Sequence, residues 1–344
     1  MISLRQKLGQ MLLMGFDGTE VNDHHPVVHW LRDCHLGGVI LFDYDMPRGE
    51  YGKNIVESIQ VRQLLQKLDK YSTSVYPLFK AIDYEGGAVD RLSRLEDCMT
   101  TLSPAKQALL DPKQFEEEIA LMADTLVDLG FNLDFAPVVD LNLCQQEGII
   151  GKLARSFGDN AAFVSARAQQ FVEIFARNGL ATCYKHFPGH GSALGDTHAG
   201  FVDVTDSFIP AELQPYKELV DLSAYPVMVM TAHVINRQLD DSGLPATLSE
   251  KILTGLLRQQ MAYEGVIISD DLQMRAIADH YSMTEALQLT INAGADMVII
   301  GNQLGQATAY EIMSLLEELV QAEKIPMQRI DEAYGRIIRM KKLL

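Results

Sequence analysis

The chain is poor in cysteine. Its four cysteines, Cys34, Cys98, Cys144 and Cys183, lie far apart among 344 residues and form no CxxC pair. Such spacing offers no zinc framework and suits reduced thiols in a cytoplasm. Long apolar runs are also missing: none approaches the roughly 18–20 residues that a membrane span requires. The opening MISLRQKLGQMLLMGF has no long apolar stretch and no small-residue cleavage site, so it does not read as a secretory signal. Positive charge is scarce, with 29 Lys and Arg against 46 Asp and Glu and a formal net charge of −17. Nucleic-acid binders need a basic face, so that class of partner is excluded. The acidity is dispersed rather than run together, as on a solvated surface. A cytoplasmic monomer with neither membrane nor nucleic acid as partner is therefore expected.

The composition that remains, 47% hydrophobic and 22% charged, can fill a large core. Eight short apolar runs punctuate the chain: QMLLMGF ending at Phe16, GGVILF at Phe42, YPLFKAID at Asp83, FNLDFAPVVD at Asp140, GLATCYKHF at Phe187, YPVMVMTAHV at Val234, GVIISDD at Asp271 and ADMVIIGN at Asn302. Near-continuous apolar runs of this length predict strands buried on both faces, as in a parallel sheet. Helix-period segments lie between them, including Asp111 to Leu129, Asn160 to Asn178, Ser249 to Tyr263 and Thr284 to Ala293. Ser103, Asp111 and Ser249 stand where helix caps are expected, and Gly130, Gly179 and Gly294 stand just past helix ends. Eight strand–helix units in series predict an α/β fold, a (β/α)8 barrel in a single domain over residues 1–344. The competing arrangement, a doubly wound open sheet, normally has a glycine-rich phosphate turn after its first strand. FDGTE at that place lacks the spacing, and no cofactor is expected.

Catalytic groups of such barrels sit at the carboxyl ends of the strands. Applied here, that rule selects Asp83, Glu85 and Arg91 after the third run, Arg155 after the fourth and Lys185-His186 at the end of the fifth. It also selects His233, Asp270-Asp271 and Asn302 after the last three. Any one of these could simply cap a helix or pair with a surface ion. Their convergence on one rim is harder to explain that way, because burying unpaired charge costs several kcal/mol each. Arg91, Arg155 and Lys185 together suit an oxygen-rich ligand.

KHFPGHGSALGDTHAG, residues Lys185 to Gly200, gathers three histidines, a lysine and an aspartate among four glycines. In DTH an extended backbone puts Asp196 and His198 on the same side. A carboxylate there fixes the imidazole tautomer and raises its pKa from about 6.5, giving a proton donor near neutral pH. Two other readings compete: three solvated loop histidines, or a metal held by His186 and His190. Pro188 and Gly189 forbid the helix that would bring that pair onto one face, so no metal is expected. A carboxylate at a strand tip, as Asp270 would be, is a fit nucleophile for an anomeric carbon.

KHFPGHG followed by DTH, with IDYEGGAVDRL, ARSFG and GVIISDDLQM in order over nearly the whole chain, resembles glycoside hydrolase family 3, and within it the single-domain bacterial β-N-acetylhexosaminidases. The resemblance implies a TIM-type barrel and a retaining mechanism. It makes Asp270 the nucleophile, His198 the acid/base and Asp196 its dyad partner. Asp83, Arg91, Arg155, Lys185 and His186 would then hold a terminal N-acetylglucosamine, and cell-wall muropeptides would be the substrates. Substrate-assisted attack, a β-glucosidase and a non-catalytic sugar-binding protein are the alternatives. Two positions depart from the family's D-Q-E-G-G-R-V stretch: Tyr84 replaces a glutamine and Ala88 an arginine, which removes a charge and up to five donors near the sugar site.

Overall fold

The computed structural model describes residues 2–195, 200–219 and 224–344. Eight parallel strands, β1 (Leu12–Gly15), β2 (Gly38–Ile40), β3 (Phe79–Ile82), β4 (Leu133–Asp134), β5 (Thr182–Phe187), β6 (Val227–Thr231), β7 (Val266–Asp271) and β8 (Met297–Ile300), pair in the order 4-3-2-1-8-7-6-5. β1 joins β8 with Leu12 opposite Val298. The two ends of the series meet through parallel bridges Leu133–Ala181 and Val138–Lys185. There the Asp134 amide donates to the Ala181 carbonyl at 2.9 Å and the Val139 amide to Lys185 at 3.0 Å. The sheet thus wraps into the expected (β/α)8 barrel. Each of the eight apolar runs contributes one strand, because each is covered by the barrel interior on one face and by helices on the other.

In the two longest runs the barrel strand stops well before the run does. In FNLDFAPVVD regular pairing stops at Asp134, and Pro137 has no amide to donate to a ladder. In YPVMVMTAHV the strand ends at Thr231, and Val234–Ile235 instead pairs with Val202–Asp203 outside the barrel.

The helices follow their predicted caps with one exception. Asp111 accepts from the Gln114 amide, and the Gln114 side chain returns the bond in a capping box over Pro112–Leu129. That helix buries Phe115, Ile119, Met122, Ala123, Leu126 and Leu129, a three-to-four-residue stripe turned to the sheet, and stops at Gly130 in the left-handed conformation (φ 96°). Ser249 accepts from the Ile252 amide at 3.1 Å. Ser103 precedes Pro104 as expected, yet its side chain makes no capping bond. Proline at that place already dispenses with one donor.

The amino-terminal end of the barrel is tied by charge. Asp296, fully buried before β8, accepts from Arg258, from Arg329 (2.5 Å), from Arg336 (3.2 Å) and from the Ile267 amide (3.0 Å). One carboxylate thus pins the helical segment Lys251–Gln260 and the last helix, Met327–Lys341, to the strands. From that last helix the buried Lys341 reaches Gln10 (2.8 Å) and the Gly37 carbonyl (2.7 Å), with its ammonium 4.6 Å from the centre of the Phe79 ring.

Candidate active site

The opposite, carboxyl-terminal end holds a cavity of about 390 Å³. Asp83, Glu85, Arg91, Arg155, Lys185 and His186 line one side of it, and Asp270 and Asp271 another. Most of the predicted strand-end residues among the described ones therefore reach one cleft; His233 and Asn302 do not. The predicted acid/base pair, Asp196 and His198, lies outside the described residues.

The charged wall is built around Glu85. Its side chain is fully enclosed and receives Arg155 through two bonds, Nε to Oε2 at 2.8 Å and the terminal nitrogen to Oε1 at 2.7 Å. Lys185 Nζ lies 2.7 Å from Glu85 Oε1 and 3.0 Å from Asp83 Oδ1. Burial alone would push the Glu85 carboxyl up, but Arg155 and Lys185 hold it down at about 2. The same carboxylates keep Lys185 above its ordinary value against the pull of burial. Arg91 faces Asp83 at 3.8 Å and Asp43 at 3.6 Å. All three cations are thus held in place by carboxylates.

His186 is aimed by a residue in the β4 loop. Asp140 is fully buried, and its Oδ2 takes the His186 ring Nδ1 at 2.7 Å. It also accepts the backbone amides of His186 and of His190 (2.8 Å). Burial pushes the Asp140 carboxyl up, yet the facing imidazole leaves it below its usual range. His190, also on the cavity wall, is driven down to about 4 by burial and by His186, so it is neutral near pH 7. The reading of these histidines as solvated is therefore corrected for two of them: His186 and His190 are both buried. Gly189, at a φ of 141°, helps residues 186–193 fold against the barrel.

Asp270 and Asp271 end β7. Asp270 Oδ1 accepts the Asp271 amide at 2.8 Å. Asp271 Oδ1 accepts the amides of Gln273 (3.0 Å) and Gly301 (3.1 Å), as a loop-closing aspartate does. His233 bonds Thr247 through Nδ1 (2.7 Å) and the Asp271 carbonyl through Nε2 (2.9 Å), and it does not line the cavity. Asn302 likewise turns inward, to Gly15 and Ala307. Of the strand-end candidates, these two brace the rim. The rest of the lining is largely apolar and includes Phe42, Met46, Leu153, Met230, Met274 and Leu304.

The two departures from the family pattern separate. Tyr84 is fully buried and does not line the cavity, so its replacement of a glutamine falls in the core. Ala88 does line the cavity. Sequence reasoning passed over Asp140 and weighed His190 only as a metal ligand or a solvated histidine. Asp140 ends an apolar run and His190 sits in PGHG, but only the fold brings them together.

A barrel with carboxylates and cations gathered at its carboxyl-terminal end is the architecture of many hydrolases of sugars. The sequence model of the glycosyl hydrolase family 3 N terminal domain matches residues 3–340, and the chain belongs to that family. It is 32% identical to Beta-hexosaminidase A of Pseudoalteromonas piscicida over 330 residues, which cover 90% of this chain and 54% of the relative. It is also 32% identical to Beta-hexosaminidase LpqI of Mycobacterium tuberculosis, over 99% of this chain and 83% of that one. The chain thus spans about half the length of the first relative and most of the second. Among solved structures, a family 3 β-N-acetylglucosaminidase from Paenibacillus sp. str. FPU-7 superposes with a TM-score of 0.86 at 31% identity, over 100% of this chain and 63% of that one. A β-N-acetylhexosaminidase from Beutenbergia cavernae gives 0.87 at 26% identity, over 99% of both chains.

Proposed function

We propose that this chain is a retaining exo-β-N-acetylglucosaminidase, one catalytic barrel domain over residues 1–344, that removes terminal non-reducing GlcNAc. The observation that carries the reading is the convergence of Asp270 with Asp83, Arg155, Lys185 and His186 on one cavity at the carboxyl-terminal end of the barrel. The names of the relatives favour the same activity. In this reading Asp83, Lys185, His186, Arg91 and Arg155 bind the sugar's hydroxyls and acetamido group. The Asp270 carboxylate attacks the anomeric carbon as the bond to the departing oxygen breaks, and His198, steadied by Asp196, supplies that oxygen with a proton. His198 then takes a proton from water, whose oxygen displaces Asp270 and releases the sugar. Muropeptides of cell-wall recycling are the proposed substrates, and a cytoplasmic monomer the proposed form. The four thiols are all unpaired with one another, and no described helix is long and apolar enough to cross a membrane.

Nitrophenyl β-GlcNAc and nitrophenyl β-glucoside, compared side by side, test the activity. The first is expected to turn over at least tenfold faster in kcat/KM. Asp270→Asn is expected to lower kcat by about a thousandfold or more, the scale of losing a nucleophile. A 2-fluoro or 5-fluoro sugar should label Asp270 in mass spectrometry. A label on any other residue rejects the assignment.

A further inference from the structure

Glu212 lies outside the cavity, in the short turn Pro210–Leu213, yet it is 1% exposed. Its Oε2 accepts two consecutive backbone amides from the segment that follows β5, Gly191 at 3.1 Å and Ser192 at 3.2 Å. The preceding amide, His190, goes to Asp140. Three successive N–H groups thus converge on two buried carboxylates, the geometry in which backbone amides grip an anion. Oε1 reaches back to the Ile209 amide at 3.4 Å, holding the carboxylate in its own turn.

The packing allows the stem little latitude. A Cβ on Gly189 would come within 2.8 Å of the Glu212 side chain, and one on Gly191 within 1.9 Å of the Leu141 carbonyl. Cys144 Sγ touches the Ser192 carbonyl at 3.5 Å, and Ala193 is fully buried. At Leu194 the chain emerges, 63% exposed. Glu212 therefore grips the last buried residues before the stretch that carries Asp196 and His198.

We propose that Glu212 is a positioning residue for the proton-transfer step: its carboxylate fixes the 189–193 stem, and so the place from which the segment bearing His198 departs. The proposal rests on the reading of His198 as acid/base. It separates Glu212 from residues that merely stabilise the barrel, because a misplaced acid slows only reactions whose leaving group needs a proton.

The test compares kcat/KM, which reports the glycosylation step, for dinitrophenyl β-GlcNAc and for an alkyl β-GlcNAc. Glu212→Met, which keeps volume and removes the acceptors, is expected to lose 30- to 100-fold on the alkyl glycoside and under threefold on the dinitrophenyl one. Glu212→Gln retains an acceptor oxygen and is expected to recover most of the alkyl activity. Equal losses on both substrates, or no loss on either, overturn the proposal. If Glu212→Met does not fold, Glu212→Asp, which retracts the carboxylate by one methylene, is read by the same ratio. A wild-type enzyme that cleaves neither substrate refutes the hydrolase reading itself. A wild-type enzyme active on both, beside variants with an unchanged ratio, refutes the role of Glu212 alone.

Discussion

Replacing Glu85 by glutamine removes the charge at the centre of the cation wall and little volume. In the folded chain the Glu85 carboxyl is held at about 2 against an ordinary 4.5. At about 1.4 kcal/mol per pH unit, that depression is worth roughly 3 kcal/mol of folding free energy near pH 7. Glu85 is fully enclosed, so solvent does not discount the figure. The sign follows from the direction. A depressed carboxyl stabilises the fold above its unfolded pKa of about 4.5, and the contribution drains away as pH falls towards 2. The neutral amide also leaves Arg155 without its two-pronged acceptor and Lys185 with only Asp83. Breaking buried pairs of this kind costs about 3–5 kcal/mol. With an unfolding entropy of roughly 2.1 cal/mol/K per residue over 344 residues, Glu85→Gln is expected to lower Tm by about 4–7 °C at pH 7. The assay is urea unfolding of both proteins between pH 7 and pH 3, alongside kcat/KM for nitrophenyl β-GlcNAc, which should fall at least tenfold as the freed cations swing. A stability loss below about 1 kcal/mol at pH 7, or a difference that does not shrink towards pH 3, refutes the reasoning.

Two further expectations concern other parts of the molecule. Burial brings the Lys341 ammonium down to about 7 from 10.5, so charging it opposes folding increasingly as pH drops from about 10.5 to 7 and by a constant amount below that. Lys341→Met gives up the bonds to Gln10 and Gly37, yet its stability relative to the parent should rise as pH drops across that interval in denaturant titrations; a flat difference removes the premise. Gly191→Ala, with its Cβ built 1.9 Å from the Leu141 carbonyl, should cost about 1–3 kcal/mol through forced displacement. It should also slow alkyl glycosides more than dinitrophenyl ones, and unchanged rates on both would show that the stem tolerates the shift.

The barrel was legible because its strands are buried on both faces. That requirement writes itself as uninterrupted apolar runs such as GGVILF and ADMVIIGN, and the spacing between runs leaves room for one helix each. Local chemistry read well where it is closed within a few residues, as in the Asp111–Gln114 capping box. It read poorly where the outcome depends on what lies across the fold. Ser103 offers no cap, Tyr84 turns into the core, and His233 and Asn302 brace loops instead of facing the cavity.

The candidate site divides along the same line. Asp83, Arg91, Arg155, Lys185, His186 and Asp270 could be named because the carboxyl ends of strands follow directly from the strands themselves. Asp140 and Glu212 could not. Asp140 acts 46 or more positions away along the chain, on the His186 ring and on two backbone amides, and Glu212 acts about 20 positions away on backbone amides that carry no side-chain signature. The order of apolar runs by itself determined the architecture and the rim on which polar groups would gather, because periodic burial is a local property of sequence. Which carboxylate meets which cation, and which glycine is pressed against a carbonyl, only tertiary structure decided, since those pairings depend on distances that arise when the eighth strand has met the first.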